Sequence, residues 1–236
     1  KGDRKGARKA LEEAIAANER YLPARLTLIS LLTDEREFDA AAKLIESTRK
    51  VAPGELRVAY SEAVLEFRRG NMGKAREQVQ QVLKYAPEYV PALVLAGAVD
   101  LQDRQFTAAE AHLRKAVARA PGHLGARQLL VQTYLQGGQP VRAKDALQPL
   151  IERGMPDDAR SLLLAGETYL ANSDVQRATR FFQAAAVARA STGGAREVVA
   201  RTRLGQIALA TGRSEEGFRE LEAAAEQDAG GYQADL

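Results

Sequence analysis

Apolar residues along this chain recur at helical spacing in paired runs, each pair closed by a polar break. Residues 90–121 show the pattern. Apolar positions fill 90–101 and 106–117, with Asp103-Arg104-Gln105 between them and Pro121-Gly122 behind them. Spacings of three and four residues within a run belong to one helix face, so the segment predicts helix, short turn, helix. Shifting the window by 34 residues in either direction returns the same pattern. With Leu22 as the first position, later repeats begin at Leu56, Val90, Leu124, Ala159, Val198 and Tyr232, in steps of 34, 34, 34, 35, 39 and 34 residues. Such a period marks a repeat architecture, in which each helix pair buries its apolar face against its neighbours.

Within the repeat, small residues sit where helices must come close. Position eight of the first helix is Ile29, Ala63, Gly97, Val131, Gly166 and Gly205. Position twenty, in the second helix, is Ala41, Ala75, Ala109, Ala143 and Ala178, with Gly217 last, and it predicts the tightest crossing of the pair. Position fifteen carries Gly70, Gly138 and Gly212, suited to a left-handed turn residue. Position seventeen anchors the second helix with Phe38, Met72, Phe106, Pro140 and Val175. Position twenty-four is bulky (Ile45, Val79, Leu113, Leu147, Phe182, Leu221) and is expected to fill the space between repeats. Pro53, Pro87 and Pro121 then end the second helix.

The expected organisation is a single array over 1–236: a partial repeat over 1–21, repeats from 22, 56, 90, 124, 159 and 198, and the start of another at 232. Gly2-Asp3, Ala7, Leu11 and Ala14 fit the turn and second helix of a repeat whose first helix lies outside the sequence, and Tyr232 to Leu236 look like an opening first helix. The array therefore reads as an excerpt of a longer one. In the last second helix, 214–227, Phe218, Leu221 and Ala225 are expected to face inward. Gly154-Met155-Pro156 adds one residue to the period. Residues 190–197, ASTGGARE, add five, and either lengthen a helix or form a protruding loop.

These residues resemble the tetratricopeptide repeat, a 34-residue two-helix family. Ala165-Gly166, Tyr169, Ala178 and Phe182 reproduce its small–Gly, Tyr, Ala and aromatic positions, and Tyr134, Gly138 and Ala143 match one repeat earlier. The chain departs in lacking Trp at position four and in placing Glu62 and Glu66 at usually apolar positions. The resemblance implies an all-α, right-handed α-solenoid whose first helices line a concave face through positions two, five, nine and twelve. Carried over by position, that face is Arg57, Tyr60, Val64 and Phe67, then Pro91, Val94, Ala98 and Leu101. It continues with Gln128, Gln132 and Leu135, then Arg160, Leu163, Glu167 and Leu170, then Thr202, Gln206 and Leu209. Such a groove suits an extended peptide or an amphipathic helix; in the alternative, Leu101, Leu135, Leu170 and Leu209 only complete packing between repeats. No repeat offers the Lys and Asn pair with which chaperone-binding relatives clamp a terminal carboxylate, so that role is not expected.

Composition narrows the chemistry. The chain is 45% hydrophobic and 28% charged, with a net charge of +3. Mixed charges give no dedicated nucleic-acid surface. Arg57, Arg68 and Arg69 form the most basic local patch and are the one place to meet an acidic partner, or else a solvated face. With no cysteine, disulfides and thiolate metal sites are excluded. The only histidines, His112 and His123, read as solvated surface residues. No HExxH, GxSxG or phosphate-cradling loop occurs, and Gly137-Gly138 and Gly193-Gly194 stand isolated. The expectation is a non-enzymatic scaffold with a protein or peptide partner, no cofactor, no metal and no nucleic acid.

The texture of residues 95–147 also resembles the repeat lipoproteins of Gram-negative exosortase (PEP-CTERM) systems, which are encoded with exopolysaccharide machinery. That resemblance implies the periplasm or outer membrane, with membrane attachment only through a lipid anchor outside this sequence. A repeat scaffold of a polysaccharide secretion complex and a cytosolic repeat domain of a regulatory protein remain alternatives.

Overall fold

The computed structural model describes residues 3–188 and 194–232, with side chains described through residue 228. Gly2, residues 190–193 of the insertion (with the first glycine of its pair) and most of the 232–236 segment lie outside the described residues. Among the described residues there are thirteen helices and no strand. The chain divides into two compact units, Lys1–Gly122 and His123–Leu236. The first holds α1 (Arg4–Ala17), α2 (Leu22–Asp34), α3 (Phe38–Val51), α4 (Leu56–Arg68), α5 (Met72–Tyr85), α6 (Val90–Gln102) and α7 (Phe106–Arg119). The second holds α8 (Leu124–Gln136), α9 (Pro140–Glu152), α10 (Ala159–Ala171), α11 (Val175–Val187), α12 (Ala195–Ala210) and α13 (Ser214–Tyr232). Each unit is an all-α stack of helix pairs, the helical-repeat class expected from the sequence.

Five of the expected repeat starts, Leu22, Leu56, Val90, Leu124 and Ala159, are the first residues of α2, α4, α6, α8 and α10. Every first helix then ends the same way. The N–H of position sixteen reaches back five residues: Glu37 to the Leu32 carbonyl (2.9 Å), Asn71 to Glu66 (2.9 Å), Gln105 to Asp100 (2.8 Å), Gln139 to Tyr134 (2.8 Å), Asp174 to Tyr169 (2.9 Å) and Arg213 to Ala208 (2.9 Å). This closure requires a left-handed residue at position fifteen. Gly70, Gly138 and Gly212 supply it at φ of 84°, 70° and 79°, and Arg36, Arg104 and Ser173 adopt it at 61°, 58° and 62°. At the far end of the second helices, Ala52, Ala86 and Ala120 leave the helical region (ψ 66°, 74° and 78°), ahead of prolines that disfavour an α conformation in the residue before them.

The helix pairs close as the small residues predict. Ala41, Ala75, Ala109, Ala143 and Ala178 are all fully buried. Position twenty-four fills the space between repeats as expected, Ile45 sharing a core with Val58 and Leu65 and Val79 with Ala92 and Val99, and it also fills position eight of its own repeat. A Cβ on Gly97 would lie 2.7 Å from Leu113 Cδ2, one on Gly166 2.5 Å from Phe182 Cε1, and one on Gly205 2.7 Å from Leu221 Cγ. The missing side chain is the socket for the bulky one.

Position four, where the family's Trp is absent, is partly taken over by arginine. Arg25, buried, donates through Nε to the Glu19 carbonyl (2.5 Å) and through Nη1 to Ser47 Oγ (3.0 Å). Arg127 Nη1 donates to the Ala146 carbonyl (3.3 Å), and burial lowers its pKa, with Arg153 adding to the effect. Arg201 bridges Glu197 (3.0 Å) and Glu220 (3.1 Å), tying α12 to α13. Glu66 is buried but satisfied by Arg69 (3.1 Å) and Asn71 (2.7 Å), while Glu62 pairs with Arg49.

Three expectations fail near the C-terminal end. α12 begins at Ala195, three residues before Val198, so the described part of the insertion lengthens a helix. α13 continues through Gly230-Gly231 to Tyr232, which therefore ends a helix instead of opening one. Phe218 is 58% exposed and Ala225 is exposed; Gly217 and Ala224 take the inward face.

Candidate functional site

In the first unit, the residues expected to line a groove fold back onto their own neighbours. Arg57 makes a two-pronged contact with Glu55, Nε to Oε1 and Nη2 to Oε2, both 2.9 Å, and these bonds hold the Glu55 carboxyl below the usual carboxylate range. Tyr60 meets Tyr89 edge-on, at 5.6 Å between ring centroids and 84° between planes. Burial pushes the Tyr60 phenol upward, and Tyr89 adds to the shift. Tyr60, Val64 and Phe67 pack on a core of Ala63, Val79, Ala92 and Val99. Between α2 and α4 there remains a hollow of about 160 Å³ lined by Ser30, Asp34, Tyr60 and Val64, among others. Val94 and Ala98 are half-buried. Leu101, expected in the groove, is only 5% exposed and offers a partner almost no surface.

The basic patch of this unit is neutralised. Arg68 pairs with Asp34 (2.9 Å), and Arg69 with Glu66 and Asp39 (both 3.1 Å). With Arg57 held by Glu55, none of the three is available as an unmatched cation.

The second unit presents an open groove of about 610 Å³. Its walls come from α8 (Gln128, Gln132, Leu135, Gln136), α10 (Arg160, Leu163, Leu164, Glu167) and α12 (Arg196, Val199, Arg203). Six of the expected residues therefore converge: Gln128, Gln132, Leu135, Arg160, Leu163 and Glu167. Gln128 nevertheless does a different job from the one expected. It is buried, and its Nε2 donates to Ser161 Oγ at 2.7 Å. Ser161 Oγ donates in turn to Asp158 Oδ2 (2.5 Å), while Asp158 Oδ1 accepts the Ser161 N–H (3.0 Å) and caps α10. This buried chain ties α8 to the start of α10 at the base of the groove, and it spends the Gln128 amide donor that a partner would need. Glu167 accepts from Arg203 Nε at 2.6 Å. Gln206 is exposed and accepts from Arg203 Nη1 (3.0 Å), whereas Leu170 is half-buried; both lie outside the groove lining.

Arg196, Val199 and Arg203 were not foreseen in the groove. Counting from Val198 puts Arg196 outside the repeat and Arg203 off the concave positions. Only Arg196 stands in the extra N-terminal turn of α12; Val199 is position two of the repeat counted from Val198, a concave position. A Gly-Gly followed by the helix-forming stretch from Ala195 was the available signal.

His112 is less solvated than expected, whereas His123 is exposed as expected. His112 Nδ1 lies 2.8 Å from Oδ2 of Asp100, which is 5% exposed, and Arg76 reaches Asp100 (3.4 Å) and Asp103 (2.8 Å). The contacts lock α5, α6 and α7 around a buried carboxylate. His123, in the connector, is the N-cap of α8, its Nδ1 accepting the Ala126 N–H at 3.1 Å. Among the described residues no three His, Cys, Asp or Glu side chains are grouped to hold a metal ion, and no helix is long and apolar enough to cross a membrane.

A tetratricopeptide repeat family model matches residues 1–65 and 100–165, and a second model of the same description matches 60–123. No curated protein sequence matches the chain. Several solved structures share the fold. One is the APC/C hetero-tetramer Cut9-Hcn1, at a TM-score of 0.75 and 15% identity, covering 94% of this chain and 43% of that one. A tetratricopeptide repeat protein from Parabacteroides merdae matches at 0.68 and 19% identity, over 96% of this chain and 87% of that one. YrrB, described as a TPR protein with an unusual peptide-binding site, matches at 0.56 and 18% identity, over 76% of this chain and 92% of that one. This chain thus spans less than half the length of the Cut9-Hcn1 chain it matches.

Proposed function

Because the chain belongs to the tetratricopeptide repeat family, we propose that it is a non-enzymatic scaffold that holds an extended segment of a protein partner in the groove of its second unit. The observation that carries this reading is the groove itself: aliphatic side chains with amides and charges in reach, on three helices held in place by buried contacts. Such a surface gives a peptide both apolar contacts and hydrogen bonds. That YrrB is a TPR protein with an unusual peptide-binding site is consistent with it.

The test is site-specific photocrosslinking in the native host. A photoreactive residue at Gln132, in the groove, should capture a discrete protein adduct. The same residue at Gln176, exposed on α11, should not. Leu163→Glu should abolish the Gln132 adduct. Equal capture at both positions, or capture that survives Leu163→Glu, would sink the proposal.

For the setting we propose the bacterial cell envelope, supported by the likeness of residues 95–147 to exosortase-system lipoproteins. Sequencing upstream of Lys1 tests this. A signal peptide followed by Cys supports it, and a DNA-binding or catalytic domain there overturns it.

A further inference from the structure

Independently of the groove, we infer that a socket in the first unit, opened by Ala59, seats an aromatic side chain of a partner protein, best an indole. The argument begins at position four of the repeat. The other repeats carry Arg25, Leu93, Arg127, Leu162 and Arg201 there, and the repeat from Leu56 carries only Ala59. Arg25 shows where a long side chain at this position goes. Its guanidinium reaches Ser47 (3.0 Å) and Thr48 (3.4 Å), positions twenty-six and twenty-seven of the second helix. Arg127 and Arg201 likewise reach the second helix of their own repeat, at Ala146 and Glu220, and Leu93 and Leu162 are buried. In the repeat from Leu56, positions twenty-six and twenty-seven are Gln81 and Val82. With Ala59 they line an open space of about 500 Å³. It is the place that position four fills elsewhere.

The lining says what this place accepts. Leu56, Val58, Ala59 and Val82 form an aliphatic wall, and Val58 and Val82 are themselves part of the core. The charges at the rim are already matched, Arg49 by Glu62 and Glu55 by Arg57, so a neutral group is favoured over an ion. An arginine, which fills the equivalent space in the repeat from Leu22, would find Val82 in place of the Thr48 hydroxyl. The volume falls within the range of pockets that enclose small organic groups, about 300–1,000 Å³, so there is room for a ring. Tyr85 stands at the mouth with 72% of its surface exposed, where it can meet such a ring edge-on or stacked. Beside it the Gln81 amide oxygen can accept an indole N–H. An aromatic side chain desolvated in a pocket of this kind is a common anchor of protein interfaces. This sequence contains no tryptophan, so a second copy of it supplies no indole.

The test follows the backbone amide resonances of the isotope-labelled chain as N-acetyltryptophanamide, N-acetylleucinamide or N-acetylargininamide is added. The tryptophan amide should shift Ala59, Gln81 and Val82, and should bind about tenfold tighter than the other two. Ala59→Leu, which installs the residue found at Leu93 and Leu162, should weaken that binding at least about tenfold and raise Tm. Ala59→Trp supplies the occupant from within the chain. As no other indole is present, its fluorescence reports the socket alone and should be that of a buried ring.

Shifts absent from Ala59, Gln81 and Val82, or persisting unchanged in Ala59→Leu, would overturn the socket. Equal binding of the three amides would overturn the aromatic assignment. The emission of a water-exposed indole in Ala59→Trp would show that the socket does not admit a ring, and would overturn the inference as well. None of these outcomes bears on the groove of the second unit.

Discussion

Tyr60 and Leu163 hold the same repeat position, the fifth residue of α4 and of α10, and their surroundings differ completely. Tyr60 lies against Tyr89 and the core around Ala92, with Val64 and Phe67 beside it, and about 160 Å³ of hollow remains. Leu163 lies in an open groove of about 610 Å³, with Glu167 four residues on and Gln132 on the facing wall. In the first unit Arg57, Arg68 and Arg69 are all matched by carboxylates, and in the second Arg203 is matched by Glu167 across the groove. Framework and recognition are thus separable in this chain. A small residue at position twenty builds the same helix pair everywhere, and the residues at five, nine and twelve decide whether its inner face is filled or left open.

The largest effects should come from the shared framework. Phe182, fully buried over Gly166, should cost about 3–5 kcal/mol when changed to Ala, and Leu113 over Gly97 about 2–5 kcal/mol. Urea melts followed by hydrogen exchange would place each loss in its own unit. A loss below about 1 kcal/mol at one site and a full loss at the other would mean that the socket is not common to both units.

Next in size is the contact that differs in kind. In the second unit, position five meets position three of the next repeat through the Gln128–Ser161 hydrogen bond; in the first unit the corresponding residues are Tyr60 and Ala92. Ser161→Ala strands the buried Gln128 donor and should cost about 1–3 kcal/mol, while Gln128→Leu/Ser161→Ala should recover much of the loss by making the contact apolar. A double variant as unstable as the single one would show that the hydrogen bond is not what the position needs.

The comparison can also be tested by transplanting one face onto the other. Leu163→Tyr/Glu167→Val/Leu170→Phe gives α10 the inner face of α4. Filling the groove this way should weaken peptide binding at least tenfold, about 1.4 kcal/mol, while helicity is retained. Undiminished photocapture at Gln132 would place the site elsewhere.

Most of the framework was legible in the sequence because it rests on sterics that repeat. A 34-residue step, glycine or alanine at the crossings and proline behind the second helix fix helix starts to the residue at Leu22, Leu56, Val90, Leu124 and Ala159. What the sequence hid was long-range. The 39-residue step does not say whether the extra residues form loop or helix, so the start of α12 and the place of Arg196 were missed. Glycine is a poor helix former, yet α13 runs on through Gly230-Gly231. His112 read as solvated because its partner, Asp100, lies on a different helix. Of the expected groove residues, six of the second unit converge, with no aromatic filling the space. Those of the first do not, because Tyr60 and Phe67 satisfy themselves against the core.

The smallest predicted effect tests whether the turn geometry is the same in both units. Arg104 and Ser173 hold φ of 58° and 62° at the position where Gly70, Gly138 and Gly212 hold 84°, 70° and 79°. A side chain there costs about 1–2 kcal/mol of steric strain, against which glycine loses about 0.5–1 kcal/mol through its freer unfolded chain. Both side chains are exposed, so little packing is lost when they are removed. Arg104→Gly and Ser173→Gly should therefore each stabilise by about 0.5 kcal/mol, raising Tm by about 1–2 °C. The five-residue backbone closures from Gln105 to Asp100 and from Asp174 to Tyr169 should persist in hydrogen exchange. Ala at Gly138 should move stability the other way by a similar amount. A gain at one turn with a loss at the other would show that one of the two side chains makes a contact worth more than the strain, and would break the equivalence of the two frameworks.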